Sequence, residues 1–366
     1  MSGGYAPDRS RRVPGSVRHG RRVGDERRGV EAASRDVVCD LCPRGCRIPP
    51  NHAGDCRVRI NVDGRLVAST FGRPCALHLD PIDKKPLFHV LPGTRILSVA
   101  TVGCNLHCTN CQNHNISQRN PWDESVRVTS VVRGAFGATP EELVRAAKWR
   151  RCPSIAATYT EPVVFYEYTK ATAVKAREAG LKTVTVTAGY INPGPLRSLC
   201  RVIDASNVDV KTMRPSAFLS NSGGVLKHVL RGLVIARESG VWLEITSLVI
   251  PGFNDSSAEM KQLCRFVRRE LGAHTPVHFS RFFPHHRMRN RPPTPIATLE
   301  RVRKIALDEG LVFPYVGNLP GNDGEHTYCP GCGKVIIERV GYRIRSNNLT
   351  DGKCGHCGRE LEGVWR

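Results

Sequence analysis

Residues 96–111 read ILSVATVGCNLHCTNC, an apolar and partly β-branched run from Ile96 to Val102, then Gly103, then Cys104, Cys108 and Cys111 in the spacing C-x3-C-x2-C. Such a run, bounded by a glycine, reads as a short buried strand. Three thiolates on the tight loop that leaves it can hold three irons of a [4Fe-4S] cluster, whose full protein ligation takes four cysteines. One iron would then stay open to a substrate or cofactor. The same spacing also serves a zinc ion with His107 or His114 as the fourth ligand, or three buried structural thiols.

Working outward, the strand is the first of a series. Apolar runs at 96–102, 155–160, 183–187, 206–211, 242–250 and 277–282 alternate with helical patterns at 140–150, 166–179, 195–203, 225–238, 257–271 and 299–309. Gly180, Gly240 and Gly310 stand where helix C-caps are expected. Repeated βα units imply a parallel sheet with right-handed crossovers. About six of them predict an α/β fold, a partial (β/α)6 TIM-type barrel with function at the C-terminal ends of its strands. A doubly wound sheet is the competing architecture, but no G-x-G-x-x-G follows any of these strands.

Four segments are expected: 1–36, a disordered basic tail; 37–94, a small four-cysteine module and linker; 95–318, the barrel; and 319–366, a second four-cysteine module. In the last, Cys329-x2-Cys332 and Cys354-x2-Cys357 are separated by 21 residues, the spacing of a zinc ribbon. Structural Zn²⁺ or a rubredoxin-like iron fits these four sulfurs. At the other end Cys39, Cys42, Cys46 and Cys56 again supply four thiols, for Zn²⁺ or an auxiliary cluster. Cys75, Cys152, Cys200 and Cys264 stand singly and read as packing residues.

The chain has 366 residues with 40% hydrophobic residues, enough for a real core, and 54 Lys and Arg against 33 Asp and Glu, a net charge of +21. Nine of the 42 arginines precede Asp36 and the rest are scattered, which favours a solvated basic surface over a nucleic-acid stripe. The most apolar stretch, near 241–251, contains Glu244 and falls far short of the roughly 20 residues of a membrane span. Residues 1–36 have no apolar core of a secretory signal. The expected compartment is the cytoplasm, where 15 cysteines suggest metal or cluster ligation before disulfides. No G-x-S-x-G, Walker loop or H-E-x-x-H is present.

The cysteine loop on the first strand of a βα series resembles the cluster loop of the radical S-adenosylmethionine (SAM) superfamily. Asp80-Pro-Ile-Asp-Lys-Lys-Pro-Leu87, Cys111-Gln-Asn113, Ile116-Ser-Gln118, Tyr159-Thr-Glu-Pro162, Asn207-Val-Asp-Val-Lys211 and Ile250-Pro-Gly-Phe-Asn-Asp255 resemble the AmmeMemoRadiSam-system radical SAM enzymes, relatives of pyruvate formate-lyase activating enzyme. The resemblance implies a [4Fe-4S] cluster on Cys104, Cys108 and Cys111 that binds SAM and cleaves it reductively to a 5′-deoxyadenosyl radical, which abstracts hydrogen from an unidentified substrate. It implies that Glu161 pairs with the SAM ammonium, that Asp209 and Lys211 lie near its ribose and carboxylate, that His286 lies near SAM, and that backbone around Val249-Ile250-Pro251 lines the adenine. A flavodoxin or ferredoxin would supply electrons, and Memo-like or AMMECR-type proteins would share its pathway. Asn110, where an aromatic is common, and Ala188, where Asn is commoner, depart from the pattern. Two alternatives stand beside this reading: a glycyl-radical enzyme activase, and a non-catalytic, zinc-stapled nucleic-acid-binding protein.

Overall fold

A computed structural model describes residues 20–22, 35–120, 129–130 and 139–366. The fold is α/β, built on a mostly parallel nine-stranded sheet. Its strands are β1 (Ala76–Pro81), β2 (Arg95–Ala100), β3 (Thr129–Ser130), β4 (Ser154–Ala157), β5 (Lys182–Thr187), β6 (Ala205–Asp209), β7 (Trp242–Val249), β8 (Val277–Arg281) and β9 (Pro314–Gly317). They lie in the order β9-β8-β7-β6-β5-β4-β2-β1-β3. From β2 through β9 every neighbouring pair is parallel, with Ile96 opposite Ser154 and Thr187 opposite Val208. β1 runs antiparallel to β2, Ala76 against Ala100. The inner strands are short and largely buried, β4 along its whole length, as crossover helices require.

The helices are α1 (His114–Ser117), α2 (Pro140–Trp149), α3 (Tyr166–Glu178), α4 (Pro193–Cys200), α5 (Pro215–Ser222), α6 (Leu226–Glu238), α7 (Ser257–Phe266) and α8 (Ile296–Asp308). Local sequence explains several starts. Thr139 and Glu142 form a reciprocal capping box on α2, the Glu142 N–H donating to Thr139 Oγ1 at 3.2 Å and the Thr139 N–H to Glu142 Oε2 at 2.9 Å. Ser256 caps α7, and Pro at the first turn starts α2, α4 and α5.

Several elements lie where the sequence reading had none, among them α1, α5 and β3, and two of these additions shape the core. The segment read as a link contributes β1 and then a plug: Ile82, Leu87, Val90 and Leu91 pack against Ile96, Ala156, Val184 and Ala205 of the sheet. Its backbone is tied down by polar side chains of the strands. Glu244 accepts from the Phe88 and His89 N–H groups at 2.9 and 2.8 Å, and Asn207 Nδ2 donates to Pro86 O at 2.7 Å. The second addition is β9, whose Tyr315 points into the same polar core. Most of 1–36 lies outside the described residues, but Gly20–Arg22 form a strand against Val37–Cys39.

The C-terminal cysteines flank short antiparallel strands: Cys329 and Cys332 stand in the turn between Thr327–Tyr328 and Val335–Val340, the latter also pairing with Arg343–Asn347, while Cys354 ends the strand Lys353–Cys354 and Cys357 lies in the turn after it. This module is seated on the sheet through Phe88, Phe313 and Tyr315. Inside that seat Arg339 and Asp83, both with fully buried side chains, pair at 2.9 Å, and Arg339 also donates to Thr327 Oγ1 and Phe88 O. A charge without its partner here would stay stranded away from water. Among the described residues no helix is long and apolar enough to cross a membrane.

Arg339→Ala should therefore cost about 3 to 5 kcal/mol in urea unfolding. Arg265→Ala, at an exposed pair with Glu309, should leave the urea midpoint nearly unchanged. His89 gives a pH signature. Its Nδ1 donates to Glu362 O and its Nε2 meets the Tyr315 hydroxyl, and burial lowers its pKa from 6.5 to about 4. The unfolded chain binds the extra proton first, so this contribution is complete above pH 6.5 and fades as pH falls toward 4. The urea midpoint should drop across that window, and less steeply in His89→Gln.

Candidate functional site

Every residue singled out from the sequence for the radical chemistry lies at or beyond the C-terminal end of a parallel strand. Cys104, Cys108 and Cys111 follow β2, Glu161 follows β4, Asp209 ends β6 with Lys211 two residues on, Ile250 and Pro251 follow β7, and His285 and His286 follow β8.

The loop turns out of β2 at Gly103, whose φ is +92°, and a Cβ there would meet Cys56 O and Val58 Cγ1 at 2.7 Å each. Only glycine accepts both the left-handed backbone and the close approach. Beyond it the loop is pinned at several points. Asn105 Nδ2 donates to Tyr190 O at 2.8 Å, the His107 and Thr109 N–H groups donate to Ser222 O and Asn221 O at the end of α5, and Thr109 Oγ1 donates to Asn221 Oδ1 at 2.6 Å. Asn113 Nδ2 donates to Tyr159 O at 2.7 Å, tying the loop to the end of β4. Around the sulfurs, the Leu106 N–H donates to Cys104 Sγ at 3.4 Å, and Ser117 Oγ lies 3.3 Å from Cys111 Sγ.

The three sulfurs do not converge on one point. Among the described residues the only set of three or more His, Cys, Asp or Glu donors lying within 4.8 Å of one another is Cys329, Cys332, Cys354 and Cys357. The two histidines considered as a fourth zinc ligand are engaged elsewhere. His107 Nε2 contacts Asp55 at 3.0 Å, and His114 stacks on His286 with ring centres 4.3 Å apart.

Charge gathers around the same sulfurs. Glu161, 2% exposed, accepts from Thr187 Oγ1 at 2.5 Å, the Ala188 N–H at 2.8 Å and the Val163 N–H at 3.2 Å. Burial raises its pKa against those donors. Burial, and then the Glu161 carboxylate, raise Cys104 well above an ordinary thiol. Burial pushes Cys108 up to about 11, with Lys211 pulling the other way. Lys211 Nζ lies 3.2 Å from Asp209 Oδ2. Burial lowers that ammonium's pKa, but Asp209 and the Cys108 sulfur reverse the effect and leave it raised. A metal or cluster entering here must displace thiol protons. His286, at φ +51°, is held beside the loop through His114 and through the Arg287 N–H, which donates to Thr109 O at 3.0 Å.

The sequence reading assigned no role to Tyr159 or Lys85. The Tyr159 hydroxyl bonds Asp80, Lys85 Nζ lies 2.7 Å from the same carboxylate and 4.1 Å from the Tyr159 ring centre, and Ser98 Oγ donates to it at 2.7 Å. Two of the motifs behind the resemblance thus meet in one buried network, a contact their 79-residue separation concealed.

The C-terminal group is a different kind of site. Cys329 Sγ and Cys357 Sγ are 3.5 Å apart, and Cys332 Sγ and Cys354 Sγ are 3.9 Å apart. A tetrahedral ion with metal–sulfur bonds of about 2.3 Å sets its sulfurs roughly 3.8 Å apart. Burial opposes ionisation at Cys329, but the Cys332 and Gly331 N–H groups draw its pKa down to about 7.

Comparison with known proteins relates the chain to a family model, two sequence relatives and two solved structures. Residues 98–266 match the family model described as the Radical SAM superfamily. An uncharacterized protein of Methanocaldococcus jannaschii is 42% identical over 330 residues, 90% of this chain and 96% of that protein. Benzylsuccinate synthase activating enzyme of Thauera aromatica is 26% identical over 114 residues, covering 31% of this chain and 34% of that enzyme. Among solved structures, a domain of a pyruvate-formate lyase-activating enzyme from Bacteroides vulgatus aligns over 44% of this chain and 98% of that chain at 15% identity and a TM-score of 0.40. Streptococcus suis SuiB bound to S-adenosylmethionine aligns over 65% of this chain and 53% of that one, at 14% identity and a TM-score of 0.45.

Gly103→Ala should destabilise the protein by about 1 to 3 kcal/mol in urea unfolding. Gly333→Ala, also at positive φ but with nothing within 4 Å of the added Cβ, should cost less.

Proposed function

The chain belongs to the radical SAM superfamily, and on that premise we propose that Cys104, Cys108 and Cys111 hold a [4Fe-4S] cluster whose fourth iron is left for SAM. The carrying observation is the triad itself: three thiols of one pinned loop at the strand ends, too widely spaced for a single ion, with Glu161, Asp209 and Lys211 around them. A cluster held there would supply the one electron that cleaves the SAM sulfonium to a 5′-deoxyadenosyl radical, the species that would abstract hydrogen from the substrate.

In this reading the chain's own residues bind and orient. Glu161 is held by the ends of β4 and β5, and its carboxylate faces the ammonium of SAM by charge-assisted hydrogen bonding. Asp209 and Lys211 lie toward the ribose and carboxylate, Lys211 offering a fixed positive charge. His286 sits against the loop, and the backbone at Val249, Ile250 and Pro251 borders the adenine. The sheet from β2 to β9 serves as a partial TIM-type barrel closed by the plug on the side away from the C-terminal strand ends. The C-terminal four-cysteine module holds Zn²⁺, a role its sulfur spacing suits. Low-potential electrons come from a flavodoxin or ferredoxin in a reducing compartment, the cytoplasm, and Memo-like or AMMECR-type proteins are candidate partners. The partial likeness to an activating enzyme keeps a glycyl-radical activase as the second reading; coexpression with a glycyl-loop partner giving a glycyl-radical EPR signal would favour it.

The test is anaerobic. The protein is reconstituted with iron and sulfide, reduced and mixed with SAM, and 5′-deoxyadenosine is quantified. The intact triad should yield it and Cys111→Ala should not; zinc uptake alone with untouched SAM would defeat the reading. Cys108→Ala should lose iron at this loop while Cys329, Cys332, Cys354 and Cys357 keep their metal, as metal analysis would show. Full [4Fe-4S] absorbance of the loop cluster in that variant would overturn the ligand assignment.

A further inference from the structure

We propose that Cys39, Cys42, Cys46 and Cys56 hold a second [4Fe-4S] cluster, not a zinc ion, set directly against the loop of the first. This deepens the proposed function, but the metal identity of the second site does not depend on SAM chemistry.

All four cysteines line one cleft together with Leu41, Ile48, Val163 and Val164, so the sulfurs share an apolar chamber. They are not spaced for one ion. No three of these sulfurs lie within 4.8 Å of one another, whereas the C-terminal four do. A cubane places its irons on separate corners, and its four thiolates stand correspondingly further apart than ligands of one tetrahedral ion. Cysteine count and C-x2-C spacing are thus alike at the two ends of the chain, and the geometry separates them.

The cleft wall is built for a buried negative charge. Arg59, 1% exposed, lines it. One edge of its guanidinium grips Glu167 at 2.9 and 2.7 Å, and its Nε has no hydrogen-bond partner. A buried N–H donor left unpaired is costly, and a four-thiolate cluster supplies the sulfur acceptor and negative charge it lacks. Hydrogen bonds to cluster sulfurs also tune its potential.

The site abuts the triad. Cys56 O occupies the space beside Gly103, one residue before Cys104. Arg44 Nε donates to Asn105 O at 2.9 Å and pairs with Asp55 at 2.8 Å, and Asp55 in turn meets His107 at 3.0 Å. Two clusters so placed would be magnetically coupled when each carries an unpaired electron.

The experiment uses the full-length chain, reconstituted anaerobically with iron and sulfide. A triple variant, Cys104→Ala/Cys108→Ala/Cys111→Ala, should retain about four irons and four sulfides per chain, with the Mössbauer doublet of a [4Fe-4S] cluster. Cys42→Ser/Cys46→Ser in an otherwise unchanged chain should lose the same amount while keeping the loop cluster. Fully reduced wild-type protein should show an EPR spectrum split by coupling, and each variant an unsplit one. Zinc without sulfide at this site in the triple variant, or no fall in sulfide in the double variant, would overturn the proposal. The double variant keeps it testable if the triple variant does not fold. Loss of deoxyadenosine formation in wild type with the second cluster present would reject the SAM reading alone.

Discussion

At Gly103 the chain leaves β2 with φ at +92°, and the Cys56 carbonyl and Val58 side chain fill the space a Cβ would need. That close approach sets the rest of the site. It lets the N-terminal module seat flush on the loop, brings Cys56 beside Cys104, and aims the loop across the strand ends toward Glu161 and Lys211. A side chain at this position would push the two elements apart. The pinning bonds from Asn105, Thr109 and Asn113 then keep the loop where Gly103 sends it.

The two ends of the sheet are chemically opposed. At the C-terminal ends of the strands lie thiols raised by burial, a carboxylate held by three backbone and hydroxyl donors, and an Asp–Lys pair, all within electrostatic reach of the same sulfurs. Such preorganised charge suits a site that must receive an anionic cluster and a zwitterionic ligand. At the other end the plug and C-terminal module close the sheet with a satisfied network: Glu244 takes two backbone N–H groups and His278, and Asp83 takes Arg339. The buried charges there have partners among their neighbours and so serve to seat elements against one another.

Three cysteine groups occur in one chain, and burial and sulfur spacing tell them apart. The C-terminal four are drawn together by short hairpins whose N–H groups favour thiolate. The N-terminal four and the triad spread their sulfurs around apolar walls. Both kinds contain C-x2-C, which holds only two sulfurs near each other; where the remaining ligands stand is decided by which strands and loops carry them.

Much of this could be read from residues alone, because its causes are local. The alternation of short apolar runs with amphipathic helical stretches is a periodicity that burial on a parallel sheet demands, and the structure matches those runs in order. The triad spacing is itself a local motif, and Glu161, Asp209 and Lys211, which the family resemblance singles out, stand at the ends of those runs. Other features have no local cause. β1 and the plug fall in the segment expected as a linker, where Asp80-Pro81 and Leu91-Pro92-Gly93 are turn signals, yet antiparallel pairing with β2 and contacts to Ala156, Val184 and Ala205 make them core. Tyr159 and Asp80 meet only when β4 lies beside β2. By itself the sequence determined the fold class, the order of its elements and which residues stand at the strand ends, since each is a matter of neighbouring residues; the spacing of sulfurs at each cysteine site and the contact between Cys56 and Gly103 were decided only by tertiary structure, since they depend on segments distant in the chain being pressed together.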